Sequence, residues 1–150
     1  MKNCIVCDCD GTILNTEFIH KEIMALDLKG DDKWDYFNKK CCSSEVDLLH
    51  SIKDLLIVLN HAGVEIVICT ARNESGKYAL LHKLIQEGIP NLTLDHIYMR
   101  KADDLRVDSE VKEDLLSEIQ KKYNVLAFID DSLSCCETAK KLGIMALRRV

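Results

Sequence analysis

Two hydrophobic periods alternate along the chain. Asn3–Cys9 (NCIVCDC) is a short β-rich run that ends in acidic residues and Gly11. Glu65–Thr70 (EIVICT) and Val125–Asp130 (VLAFID) are apolar without alternation, the pattern of strands covered on both faces. Asp95–Met99 and Ile144–Leu147 are shorter strand-like runs. Between them, Glu17–Leu28, Lys33–Lys40, Glu45–Ala62, Glu74–Glu87, Ser109–Tyr123 and Leu133–Leu142 read as helices, with a turn around Gly30–Asp32. In Glu45–Ala62 the apolar positions Val46, Leu49, Ile52, Leu56 and Leu59 recur at spacings of three and four. That spacing predicts one helix face, with Ser44 placed to cap its start and Gly63 to follow its end.

Buried strands separated by helices predict an α/β domain, a Rossmann-like parallel sheet of about five strands flanked by helices. No linker divides residues 1–150, so one domain is expected, with residues 14–44 as a small helical insert or minimal cap. Ligands of such sheets sit beyond the carboxyl ends of the strands. That is where the unusual residues gather.

The first strand ends in Asp8-Cys9-Asp10-Gly11-Thr12. Two carboxylates two positions apart repel unless a cation joins them or one is protonated. Either state is chemically useful. An ionised Asp8 can attack phosphorus, and a protonated Asp10 can donate to a leaving oxygen and later take a proton from water. The bland alternative is a turn with helix-capping acids. The second buried strand ends in Thr70-Ala71-Arg72, where a hydroxyl, a backbone N–H and a guanidinium suit a phosphate oxygen. The VLAFI strand ends in Asp130-Asp131-Ser132, an acidic pair that a hard divalent cation would relieve, or else a helix cap. Lys112 is expected in the first turn of its helix, where the dipole disfavours a cation by a few tenths of a kcal/mol. It could neutralise Asp8 and a transferring phosphoryl group. Asp108 could cap that helix or orient Lys112 or Arg72.

Composition narrows the class. The chain has 150 residues, and a domain of this size buries ~68–70% of its unfolded surface, so it needs no disulfide staple. Its 20 basic and 25 acidic residues leave a charge of −5, which excludes a non-specific polyanion binder. Contact with nucleic acid would go through a local basic patch or a metal ion. No apolar run reaches the ~18 residues of a membrane helix. The strand-like start leaves no room for a signal peptide, so the eight cysteines read as reduced thiols of a cytoplasmic protein.

The joint order of these elements is more specific than any one of them. DxDGT, Thr after an apolar strand, Lys in a helix and a final apolar strand with DD resemble the haloacid dehalogenase (HAD) superfamily of phosphohydrolases over nearly the whole chain. Thr70–Ser75 (TARNES), Tyr98–Lys101 with Arg106-Val107-Asp108, Glu110–Glu113 and Ile129–Ser132 through Lys141–Ile144 further resemble the 3′-phosphatase domain of phage-type polynucleotide kinase-phosphatases.

The resemblance implies a HAD fold and a Mg²⁺-dependent phosphatase that works through an aspartyl-phosphate. Asp8 would be the nucleophile and Asp10 the acid/base. Thr70, Arg72, Asp108 and Lys112 would serve the phosphate, with Gly11, Thr12 and Ala71 lining it. Mg²⁺ would be held by Asp8, the Asp10 carbonyl and a carboxylate of Asp130 or Asp131. Two features depart from the pattern. Ile13–Ile19 has no basic residue where the bifunctional phage enzyme carries a further catalytic arginine, and no GxxxxGK[ST] loop of a kinase half is present. The expected substrate is therefore a phosphomonoester: a 3′-phosphorylated nucleic-acid end, or alternatively a nucleotide or small metabolite. A non-catalytic phosphate-binding module is a further alternative, and it would predict a broken motif.

Other features weigh less. Cys4-x-x-Cys7 has a zinc-ligand spacing but sits in a strand, where residues three apart face opposite ways. A receiver domain would place its acidic pair early and its phospho-accepting Asp after a middle strand, unlike this order. Trp34, Tyr36 and Phe37 can pack the insert or stack bases. Arg100, Lys101 and Arg106 form either a phosphate grip or a solvated loop. Met24, Met99 and Met145 read as core filler.

Overall fold

A computed structural model describes residues 1–150. Strands β1 (Lys2–Cys7), β2 (Glu65–Asn73), β3 (Ile97–Arg100), β4 (Tyr123–Asp130) and β5 (Ala146–Arg148) form one parallel sheet in the order β3-β2-β1-β4-β5. The chain lays β2 and β3 on one side of β1, then crosses to lay β4 and β5 on the other. The direction of winding thus reverses beside β1, and a crevice opens at the carboxyl ends of β1 and β4. Asp8 and Asp130 lie there.

Six helices cover the sheet: α1 (Glu17–Ala25), α2 (Gly30–Cys41), α3 (His50–His61), α4 (Lys77–Gln86), α5 (Asp108–Gln120) and α6 (Leu133–Lys141). Alternation along β1 feeds two cores. Ile5 and Cys7 pack with Ile19, Phe37, Leu56 and Leu84 on one face. Cys4 and Val6 pack with Val111, Leu116 and Ala139 on the other. Cys4 and Cys7 therefore face opposite layers, and all eight cysteines are unpaired thiols. No helix is long and apolar enough to cross a membrane.

Several element boundaries differ from the sequence reading. The helix expected from Glu45 begins only at His50, so Ser44 does not cap it. Val46 and Leu48 are buried on either side of exposed Asp47, a period of two within a spacing that also fits a helix. This extended piece ties the insert to the first loop. Leu48 bridges Leu14, the Asn15 N–H donates to the Asp47 carbonyl, and the Leu49 N–H donates to the Ile13 carbonyl. At the far end of α3, Gly63 has φ +88°, and the next N–H, of Val64, donates back to the Leu59 carbonyl. Gly30 opens α2 instead of lying in a turn. Glu74–Gly76 and Leu94–His96 form 3₁₀ turns where a helix and a strand were expected to begin. Met99 is buried, but Met24 and Met145 are exposed: Ile19 and Ile23 take the inward side of α1 and leave Met24 outside.

Candidate active site

Sheet register sets the site. The Asp8 N–H donates to the Ile129 carbonyl, which fixes the end of β1 beside the end of β4. The chain then tightens: the N–H groups of Thr12, Ile13 and Leu14 all point to the Cys9 carbonyl. Gly11 makes that turn at φ +73°, and a Cβ there would press on the Asp131 carboxylate at 3.0 Å from its Cγ. The turn and Asp131 thus share one close-packed floor. Arg149 donates to the Gly11 carbonyl at 2.8 Å and Arg148 to the Asp131 carbonyl at 3.1 Å. The sequence reading did not single out these two arginines. Their adjacency at the carboxyl end of the last strand was the available signal.

The centre is a buried cation between two buried anions. Lys112 Nζ lies 2.6 Å from Asp8 Oδ1 and 2.7 Å from Asp130 Oδ2. All three side chains are almost wholly removed from water. Burial works against the ammonium, but the two carboxylates outweigh it and hold its pKa well above the usual value. Burial pushes Asp8 up; Lys112 pulls it back and Asp130 raises it again, leaving it at about 7. One cation does not balance two carboxylates. α5 starts at Asp108, so Lys112 lies just past the first turn and the helix dipole costs it little.

Thr12 links the two acidic loops. Its hydroxyl lies 3.2 Å from Asp8 Oδ2 and 3.4 Å from Asp131 Oδ1, and it accepts the Asp131 N–H at 3.1 Å. The Ser132 N–H donates to Asp130 Oδ1, and Ser132 itself caps α6, so the capping role falls to Ser132 and leaves both aspartates for the crevice.

Oxygens of Asp8, Asp130 and Asp131 come within 4.8 Å of one another. Three hard oxygen donors with uncompensated charge fit a divalent ion of the Mg²⁺ type. The Asp10 carbonyl, which accepts no backbone hydrogen bond, lies in the adjoining turn. Binding there would expel the proton that Asp8 holds below about pH 7. The apparent affinity for Mg²⁺ should therefore weaken as the pH drops from 8 to 6. Calorimetric titration at pH 6 in buffers of different ionisation enthalpy should detect proton release. An affinity independent of pH across that window would contradict the raised Asp8.

The second aspartate has a different partner. Arg72 grips Asp10 with both arms of its fork, Nε to Oδ2 at 2.8 Å and Nη2 to Oδ1 at 2.5 Å. Asp8 and Asp10 thus pair with different cations, Lys112 and Arg72, although the Asp10 charge still adds to what raises Asp8. Arg72 was expected to face the phosphate, but it is buried and occupied by Asp10, with Cys42 Sγ 3.6 Å from Nη1 and the Phe37 ring 5.6 Å from its Cζ. The sequence reading did not foresee this role for Phe37 and Cys42, because both lie in the insert. β2 runs on past the expected end at Thr70 to Asn73; Thr70 is buried within it and accepts the Arg72 N–H at 3.2 Å.

Asp108 neither caps α5 nor orients Lys112 or Arg72. The N-cap is Val107, and the exposed Asp108 carboxylate pairs with Arg100 at 2.8 Å. Arg100 also donates to the carbonyls of Ala71, Asp104 and Arg106, which fastens the loop after β3 to the end of β2. Arg106 pairs with Asp104 and Asp114, and Lys101 with Glu74, so this basic cluster is spent on holding its own loop.

The winding reversal thus sets an acidic crevice around a buried lysine. Residues 2–148 match the polynucleotide kinase PNKP phosphatase domain family, and the chain belongs to it. Among curated protein sequences, none matches the chain.

Solved structures share the fold. A chain of the Pnkp1/Rnl/Hen1 complex superposes with TM-score 0.78 at 20% identity over 99% of this chain and 46% of its own length. The class C acid phosphatase of Bacillus anthracis gives 0.72 at 23% identity, covering 89% of this chain and 53% of that one. A HAD hydrolase of family IA from Entamoeba histolytica gives 0.70 at 14% identity, covering 96% and 82%. This chain thus spans about half the length of the first two.

Proposed function

We propose that the chain is a divalent-metal-dependent phosphomonoesterase that forms an aspartyl-phosphate on Asp8, with polynucleotide 3′-phosphates as its substrate class. The observation that carries the reading is the buried Asp8–Lys112–Asp130 array at the winding reversal. An Asp8 oxygen attacks phosphorus in line, and the bond to the leaving oxygen breaks as Asp10 donates its proton. Water, giving its proton to Asp10, then attacks the phosphorus of the acyl phosphate. Inorganic phosphate leaves and the Asp8 carboxylate is restored. Arg72 grips both oxygens of ionised Asp10 and would keep one of these bonds while the other oxygen carries the proton, which fixes the direction of the carboxyl. Lys112 and the Thr70 hydroxyl counter charge on the transferring group. Held by Asp8, Asp130, Asp131 and the Asp10 carbonyl, Mg²⁺ would supply further neutralisation of phosphoryl charge.

The substrate reading draws on the family and on the Pnkp1-containing complex among its structural neighbours. The test is a kinetic panel of 3′-phosphorylated DNA and RNA oligomers against mononucleotides and sugar phosphates. Oligomers should give the higher kcat/KM. If they do not exceed free 3′-nucleotides, the site serves a nucleotide or small metabolite instead.

A further inference from the structure

We infer that Trp34, on α2 of the insert, is a stacking platform for a base of the single strand whose 3′-phosphate enters the Asp8 site. Lys33 beside it meets the strand's backbone. This rests on the polynucleotide reading above and adds to it the residue that would set preference for a polymer over a free nucleotide.

Packing of the insert does not need Trp34. Phe37 and Cys41 supply the buried contacts of α2, whereas Trp34 is 53% exposed. The exposed ring is not isolated. It meets Phe37 edge-on at 6.0 Å, Phe37 lies 4.8 Å from His20 of α1, and Phe37 also lies 5.6 Å from the Arg72 guanidinium that grips Asp10. Two ring contacts thus lead from Trp34 to Arg72, and a third contact, the Arg72–Asp10 pair, leads on to the acid/base.

The charges around the ring give the strand a side. Helical spacing places Lys33 and Phe37 on one flank of Trp34 and Asp31 and Asp35 on the other. The Lys33 ammonium is 5.4 Å from the Trp34 ring centre and is drawn into no ion pair. A polyanion is thus favoured along the flank that leads to Arg72 and is repelled from the opposite one. Stacking on an aromatic face tolerates any base, which suits an enzyme acting on strand ends of arbitrary sequence. Arg100 and Arg106, the other candidates for holding a backbone, are engaged within their own loop.

Trp34 is the chain's single tryptophan, so its emission reports on the site directly. In Asp8→Asn protein, which would bind without turnover, a 3′-phosphorylated oligothymidylate should quench the emission. An abasic phosphodiester chain of equal length and inorganic phosphate should not. In the Asp8-containing enzyme, Trp34→Ala should lower the ratio of kcat/KM for oligomer to kcat/KM for free 3′-nucleotide by roughly 5- to 100-fold, the range that loss of one stacked base spans. Trp34→Phe should keep most of that ratio. If the unsubstituted enzyme prefers oligomers but Trp34→Ala leaves the ratio unchanged, or the bases do not quench, Trp34 is not the platform. If the unsubstituted enzyme shows no preference for oligomers, the polynucleotide reading itself falls.

Discussion

Asp8→Asn should lower turnover by more than ~10⁴-fold while leaving the fold intact, because a carboxamide cannot attack phosphorus. The stability consequence runs in the opposite direction. Burial and Asp130 hold Asp8 at about 7 in the folded chain, above its value in an unfolded one, despite the pull of Lys112. Between pH ~4 and ~7 the folded state therefore binds more protons than the unfolded state, and folding loses stability as the pH rises through that window. The asparagine removes this component. Metal-free Asp8→Asn protein should match the parent in urea unfolding only near pH ~4, and its advantage should grow from pH 5 to pH 8. Near-full turnover in the variant would refute Asp8 as the nucleophile. A variant that weakens relative to the parent at high pH would refute the charge imbalance.

Lys112→Met should be the most destabilising single change at the site. It keeps the buried stem but leaves Asp8 and Asp130 without the cation that bonds to both. Stripping one partner from a buried charge array costs about 3–5 kcal/mol. With the ammonium gone, Asp8 loses the group that pulls its raised pKa back down, so the loss should shrink as the pH falls and that carboxyl takes up its proton. Added Mg²⁺ should also recover part of it, since a second cation would enter the same charge deficit. Activity should fall with stability at neutral pH and stay low even where Mg²⁺ restores the fold, because the phosphoryl charge has lost its fixed partner. Denaturation curves at pH 5.5 and 8, with and without Mg²⁺, check all three. Equal stability to the parent at pH 8 without metal would mean that the array does not carry the stated charge.

The layout of the sheet was legible in the sequence because its signals are local. Unbroken apolar runs such as Val67–Cys69 and Ala127–Ile129 can be covered only from both faces, and each ends in a polar residue at the same end of the sheet. The gathering of Asp8, Lys112 and Asp130 followed from that placement. Partner choice was not legible. Arg72 and Asp108 both read as phosphate groups, yet one turned to Asp10 and the other to Arg100, contacts that depend on loops far apart in sequence. Val46–Leu49 was misread because two helical turns and an extended piece can share the same apolar spacing. Exposed Met24 shows the converse: residue type alone does not reveal which flank of a helix meets the core.

The Arg100 side chain, shared among three carbonyls and one carboxylate, makes the rim between β3 and α5 rigid before any ligand arrives. That half of the mouth has little conformational freedom left to surrender on association. Whatever ordering a long substrate demands must then come from the opposite jaw, built from α1 and α2. Binding should accordingly slow amide exchange in the insert far more than in the loop after β3.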